Sequence, residues 1–246
     1  MNTERNLQLQ NWNNFCQYHL GDWYGFWTRY SPQGECLKSF KCVRSFHLNT
    51  DANQVDQVNT YTYSDGRTEK KVFPSHQLSV TKALFLDRGF SFGSTSLNKD
   101  TVFGFETALK HENSRVSAAV IYAPNLKLQR LTLIVEELAS FPTEITYSPT
   151  DRAKDNWQGT QWILTPDLVM SLPKSAKWSR LEDWGNDYLI LHQGGVSISC
   201  PQQLESCKEF VLVVDWQVND TLLQRGIRHF STSGFTGFFL EFFSPK

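Results

Sequence analysis

Several protein classes can be set aside because the residues that mark them are scarce in this sequence. Its five cysteines, at positions 16, 36, 42, 200 and 207, form an odd set without a Cys-x-x-Cys, which argues against a disulfide framework and a zinc site. Cys16 and Cys42 fall on apolar faces and read as packed thiols rather than nucleophiles. No run of eighteen apolar residues occurs, and residues 1–6 hold neither an apolar stretch nor a small-residue cleavage site. Neither a membrane span nor a secretory leader is expected, and the chain is expected to be cytoplasmic. An excess charge of one sign is missing too. The 24 basic and 25 acidic residues are interspersed and leave a formal net charge of −1, which offers no footprint for nucleic acid and no polybasic segment for an anionic membrane.

Chemical motifs are equally sparse. His47, His76, His111, His192 and His229 show none of the spacings of a metal site. Asp51-x-Asn53-x-x-Asp56 lacks the glycine and closing glutamate of a calcium loop. There is no Gly-x-Ser-x-Gly elbow, so a serine hydrolase has no support. Gly89-Phe90-Ser91-Phe92-Gly93-Ser94 precedes no helical pattern and suits a bend in a strand better than a phosphate loop. No catalytic residue, metal or cofactor is therefore expected.

What the chain does have is aromatic bulk. Eighteen Phe and eight Trp stand beside only two Met, in a sequence that is 40% hydrophobic, a bias that suits strands and aromatic-lined cavities more than helix bundles. Residues 7–19 carry Trp12, Phe15, Cys16 and His19 at helical spacing, which predicts a short amphipathic helix. From Gly25 the period changes to two. It predicts strands over 22–31, 37–48, 57–63, 69–74, 83–97, 102–110, 115–123 and 127–138, enough for a barrel. Ser31-Pro32-Gln33-Gly34 and Ser64-Asp65-Gly66-Arg67 mark hairpins, so the expected topology is an up-and-down meander. Ser148-Pro149-Thr150-Asp151-Arg152 reads as a connector. Beyond it, Asn156-Trp157-x-Gly159 echoes Asp22-Trp23-x-Gly25 and suggests an internal repeat. Further strands are predicted over 158–164, 166–172, 186–192, 195–200, 208–217, 221–232 and 235–243, with His192-Gln193-Gly194-Gly195 as a hairpin mark. The expectation is an all-β chain, with an N-terminal helix and a meander barrel in residues 1–145 and a second, smaller barrel-like half in 146–246. A single sandwich or enlarged barrel is the alternative.

Asn11-Trp12-x-x-Phe15, then His19-Leu20-Gly21-Asp22-Trp23-Tyr24-Gly25 with Trp27, Ser31-Pro32-x-Gly34-Glu35 and Ser45-Phe46, resemble the calycin superfamily, and more closely a cyanobacterial family of calycin-like proteins without an assigned activity. The resemblance implies a lipocalin-like barrel and a photosynthetic bacterial source. It also implies that Trp23 and Arg130 form the stacked pair that closes one barrel end, with Arg225 and Arg228 in that role in the second half. Barrel relatives include lipocalins, fatty-acid-binding proteins and the bilin lyases of the S/U and T types. None of their site motifs maps residue by residue; Asn186-Asp187-Tyr188 is the nearest thing to a lipocalin Thr-Asp-Tyr.

One face of β-patterned residues 40–48 holds Phe40, Cys42, Arg44, Phe46 and Leu48, and a lone arginine there is hard to place in a dry core. It either binds a ligand carboxylate, or pairs with an acid such as Glu106, or points outward. Tyr61, Tyr63, Phe103, Phe105 and Tyr122 are the further candidates for a cavity lining. The expected function is noncovalent binding of a small hydrophobic or amphipathic molecule, such as a fatty acid, isoprenoid or tetrapyrrole. One rival is a bilin lyase or chromophore chaperone with a phycobiliprotein subunit as partner, which Arg44 facing Glu106 would favour. The other is a filled barrel acting as a structural or interaction module, which a cavity below about 300 Å³ would favour.

Overall fold

The computed structural model describes residues 2–78, 83–98, 100–143, 157–185 and 187–246. The connector at 148–152, the boundary at 145/146, Asn156 of the second opening and Asn186 lie outside the described residues. The fold is nearly all-β, with one N-terminal helix, α1 (Asn2–Tyr18), a curled half-barrel sheet and a second sheet. Among the described residues no helix is long and apolar enough to cross a membrane.

The first sheet contains β1 (Gly21–Tyr30), β2 (Cys36–Leu48), β3 (Gln54–Thr62), β4 (Thr68–Val72) and the two-residue β5 (His76–Gln77). It continues through β6 (Ala83–Leu86), β7 (Gly89–Gly93), β8 (Phe103–His111), β9 (Ser114–Tyr122) and β10 (Leu128–Leu138). The order is β4-β3-β2-β1-β10-β9-β8-β7-β6, with β5 on β3. The predicted meander is there, and its first strand is paired with its last. The expected strand over 83–97 is instead a hairpin, β6 and β7, that turns at Asp87-Arg88. An unbroken run of apolar residues masked the turn, because all four β6 residues are buried and no alternation distinguishes their faces.

The second sheet contains β11 (Trp157–Leu164), β12 (Lys174–Lys177), β13 (Tyr188–Gln193) and β14 (Val196–Pro201), then β15 (Phe210–Asn219), β16 (Leu222–Ser231) and β17 (Gly234–Pro245). Its order is β12-β11-β17-β16-β15-β14-β13. Gly194 and Gly195 have φ of 55° and 75° and form the two-residue hairpin between β13 and β14, where both central positions must be left-handed. The strand expected over 166–172 is absent. Pro166 and Pro173 cannot donate to a ladder, and the segment is a loop with a single bridge, Leu164 to Met170.

Alternation along β8, β9 and β10 gives the first sheet two buried faces. Phe103, Phe105, Val120, Tyr122, Leu131 and Leu133 pack against Phe210, Leu212, Val214, Phe230 and Phe238 of the second sheet. The Phe210 and Phe230 rings stack with centroids 4.6 Å apart, and Phe103 meets Phe230 edge-on at 5.4 Å. The opposite face curls around a cup. Helix α1 covers the β6 edge of that cup, inserting Trp12 and Phe15 among Phe46, Phe85 and Phe90. The helix also takes the place of a neighbouring strand. The Asn11 side chain donates to the Ala83 carbonyl at 2.9 Å and accepts from the Phe85 amide at 2.7 Å, while Asn14 donates to the Phe85 carbonyl at 2.9 Å. An otherwise bare strand edge is thereby satisfied.

Replacing Asn11 by Ala strands two backbone groups of β6 and is expected to lower stability by about 1–3 kcal/mol. The check is a shift of the urea midpoint with an unchanged m-value. Asn14→Ala, at a half-buried position, should cost less.

Candidate functional site

The cup is organised around Trp23. Its ring is 1% exposed, its indole N–H donates to the His19 carbonyl at the end of α1 at 3.0 Å, and a guanidinium lies 3.9 Å from the ring centroid. That guanidinium belongs to Arg115, on β9, and not to Arg130. The expected partner is displaced because Trp23 faces Leu138 across the β1–β10 ladder. Arg130 is eight residues back along β10, about 26 Å away, half-buried beside Arg29. In the second sheet, Arg225 makes a bidentate pair with Asp215 at 2.6 and 2.7 Å. Arg228 reaches across the sheet interface to the Ser94 carbonyl at 2.6 Å and lies 4.1 Å from the Phe235 centroid.

Two positions from Trp23, Gly25 sits opposite Glu136. A Cβ at Gly25 would run into the Glu136 side chain and the Val135 carbonyl, so the glycine supplies the space in which this carboxylate turns into the cup. There Glu136 receives Arg44 on both oxygens, Nε at 3.1 Å and Nη2 at 2.7 Å. It also receives Arg115, with Nε at 3.0 Å and Nη2 at 2.7 Å. The Trp27 indole donates to it at 3.3 Å. Glu106 then takes the remaining nitrogen of Arg44, Nη1, at 3.0 Å and receives the Ser117 hydroxyl at 2.7 Å. Two cations and two carboxylates thus form one network, three of its members almost fully buried. Burial alone lifts the Glu136 carboxyl, but the two guanidiniums outweigh it and hold the group below its ordinary 4.5. Burial pushes Arg115 down to about 10, still charged at neutral pH, whereas at Arg44 the two carboxylates overcome the same penalty and raise it.

His19 sits against this network. Its Nε2 donates to the Leu86 carbonyl at 2.7 Å, which requires the proton on Nε2 and leaves Nδ1 a bare acceptor with no partner. Burial first, then the nearby Arg115 charge, push its pKa from 6.5 down to about 3.

Above the network is a cavity of about 680 Å³. Phe15, Phe46, Phe85 and Phe90 give it an aromatic side; Gln57, Asn59, Tyr61, Arg44 and Glu106 give it a polar one. Exposed Pro74, Ser75 and Phe92 mark the mouth. The polar side carries a directed chain of hydrogen bonds. His76 donates to the Gln57 carbonyl oxygen at 3.0 Å, Gln57 to Asn59 at 3.2 Å, and Asn59 to the Tyr61 hydroxyl at 2.9 Å, which leaves the Tyr61 proton to be donated onward.

Of the residues singled out from sequence, Arg44, Phe46, Tyr61 and Glu106 meet in this cavity. Phe40 and Tyr63 share its face but lie beyond it, Phe40 packed on Tyr61 at 5.8 Å and Tyr63 bonded to Glu69 at 2.8 Å. Phe103, Phe105 and Tyr122 are on the other side of the sheet, in the core between the sheets, where the Tyr122 hydroxyl donates to the Pro201 carbonyl at 2.7 Å. Phe105 and Glu106 are neighbours in a strand and so point to opposite faces. Sequence reasoning missed Arg115, Glu136, Trp27 and His19 as members of the site. The available signal was the in-phase set Ile134, Glu136 and Leu138, paired with Gly25 once β1 is placed beside β10. Among the described residues no group of three His, Cys, Asp or Glu is placed to hold a metal ion.

Three outcomes test this arrangement. Glu136→Gln leaves two buried guanidiniums short of a counter-charge and is expected to cost about 3–5 kcal/mol in urea denaturation. Gly25→Ala overpacks the same spot and should cost about 1–3 kcal/mol. The unfolded chain protonates His19 near pH 6.5 and the folded chain only near 3, so the unfolded state binds more protons between those values and stability is lost as the pH drops through that window. His19→Gln, which can still donate to Leu86, should make the loss of stability from about pH 7 to about pH 5 smaller than in the parent.

Comparison with known proteins places these features in a group. A family model described as domain of unknown function (DUF3598), N-terminal, matches residues 8–141, more than half of the 246. A second model, described as the C-terminal domain of biogenesis factor required for ATP synthase 1, matches residues 181–236. No curated protein matches the sequence. Among solved structures, a protein of unknown function from the DUF3598 family of Nostoc punctiforme is similar over 96% of this chain and 99% of its own, with a TM-score of 0.74 and 21% identity. At that identity the likeness speaks for the fold alone. The expected kinship with a cyanobacterial family of unassigned activity agrees with both DUF3598 matches.

Proposed function

The chain belongs to the DUF3598 family, and we propose that it holds one small hydrophobic or amphipathic molecule, noncovalently, in the cup of its first sheet. The observation that carries this reading is the cavity itself. At about 680 Å³ it lies well inside the range of about 300–1,000 Å³ typical of small-molecule sites, and it combines aromatic walls with a few convergent polar groups. A barrel filled by its own side chains would leave no such space. We read the curled sheet as calycin-like and the halves 1–145 and 146–246 as two units, of which the first does the binding. An isoprenoid, a fatty acid or a tetrapyrrole has the apolar body that these walls would desolvate.

Arg44 does face Glu106, the arrangement expected of a site that handles a tetrapyrrole for transfer. All three of its guanidinium nitrogens are already engaged by Glu136 and Glu106, however, so Arg44 is not free to take a propionate, and we place binding ahead of transfer. A second reading, a protein-docking role for the second half, is favoured by the match of residues 181–236 to a domain named for ATP synthase biogenesis.

The test is titration of the protein with Nile red, a neutral dye that brightens in apolar surroundings. One dye is expected to bind per chain and to quench Trp27, which lines the cavity. Ser75→Trp, an exposed change at the mouth, should weaken binding about tenfold or more without altering the thermal midpoint. No saturable binding, or binding indifferent to Ser75→Trp, would count against the cup.

A further inference from the structure

We infer that the polar end of the cup's ligand is an uncharged group bearing both a hydrogen-bond donor and an acceptor, such as a primary amide or a hydroxyl, and not a carboxylate. This rests on the binding role proposed above and specifies its ligand class.

The argument is one of vacant valences. A fatty acid would need a cation, and the cup has two arginines. Every nitrogen of Arg44 is spoken for, and both Nε and Nη2 of Arg115 are held by Glu136. At Arg44 a ligand carboxylate would have to evict Glu106 and leave two carboxylates side by side; at Arg115 Nη1, the guanidinium nitrogen still open, it would add an unbalanced charge to a network whose two cations are already matched by Glu136 and Glu106. A ligand ammonium fares no better, because it would compete with Arg44 for Glu106 while lying close to two guanidiniums. With two cations balanced by two carboxylates, a third charge of either sign would lose its hydration and find no free counter-ion, an expensive transfer.

Neutral hydrogen-bonding capacity, in contrast, is left over in both senses. The Tyr61 hydroxyl accepts from Asn59 and retains its own proton to give. Glu106, whose side chain is 16% exposed where its partner Arg44 is 4% exposed, presents the accepting oxygens nearest the open part of the cavity. Deeper down the same pairing recurs, with Arg115 Nη1 a donor and His19 Nδ1 an acceptor, both buried and both without a partner. All four residues line the cavity. One amide or hydroxyl satisfies a donor and an acceptor together, as no ion can, while Phe15, Phe46, Phe85 and Phe90 take the apolar body.

The experiment is displacement of Nile red from the wild-type protein by decanamide, decanol, decanoate and decylamine, each below its micellar concentration. Decanamide and decanol are expected to displace at concentrations about tenfold or more below those needed for decanoate and decylamine. In Tyr61→Phe, which removes the free donor, the gap between decanamide and decanoate should shrink severalfold. Decanoate or decylamine as the best competitor, or four equal competitors, overturns the inference. So does Nile red that binds but is displaced by none of them. Failure of Nile red to bind at all is a different result: it refutes the binding role, and this inference falls with it.

Discussion

A buried carboxylate shared by two guanidiniums is the constraint to which the cup is built. Glu136 can reach Arg44 and Arg115 together only because Gly25, across the β1–β10 ladder, has no side chain to block it. The consequences spread outward from there. Arg115, held by Glu136, lies over the Trp23 ring; Trp23 ties back to His19; and His19, neutral in that field, fastens the end of α1 to β6 through Leu86. Arg44, held on its other side by Glu106, defines the polar wall of the cavity. Such pairs contribute little net stability when buried. What this one does is leave each member with a single place to go, so that strand register, helix position and cavity chemistry agree.

The two sheets use one topological plan and fill it differently. In each, the opening strand pairs with the closing strand, and a Trp-x-Gly stands on the opening strand: Trp23 and Gly25 in β1, Trp157 and Gly159 in β11. Each glycine faces a side chain of the last strand that occupies the space of its missing Cβ. In the first sheet that side chain is Glu136, and the result is a charged floor under an open cup. In the second it is Phe243, and the residue opposite it on the next strand, where the first sheet has Arg115, is Leu223. An aromatic ring takes the place of the shared carboxylate, and a buried ion pair of this sheet lies one step along the ladder, Arg225 with Asp215. The shared placement is what the short echo between the two Trp-x-Gly segments amounts to in three dimensions.

Much of this was legible in the chain. The alternation Phe40, Cys42, Arg44, Phe46 fell on one face of β2, and Tyr61 on the neighbouring strand joined it, because period two is a property of the strand alone. Hairpin marks such as Gly194-Gly195 stood where glycine is sterically required. Other features were not legible, for specific reasons. Phe103, Phe105 and Tyr122 alternate as cleanly as the cup residues, but both faces of β8 and β9 are covered, one by the cavity and one by the second sheet, and a single strand does not say which cover lies on which side. Arg115 follows a turn and Glu136 precedes Glu137 near a strand end, where charges ordinarily meet water. Their burial depends on partners about ninety positions away in sequence, Trp23 for Arg115 and Arg44 for Glu136. Arg130 stands just before a strongly apolar run, yet that strand begins far from Trp23 and reaches it only as it ends.

The pairing of first strand with last also has a temporal meaning. Trp23 finds its ladder partner at Leu138, and Trp157 finds its own at Pro245. Neither sheet closes until its final strand exists, so during synthesis β1 and β11 each wait with one edge bare while everything between them is made. Long-range pairing of this kind is slow to form. The Asn11 and Asn14 bonds from α1 to β6 span some seventy positions and so become available earlier than closure of the first sheet. They cover the outer edge of β6 while the β1–β10 ladder is still unwritten.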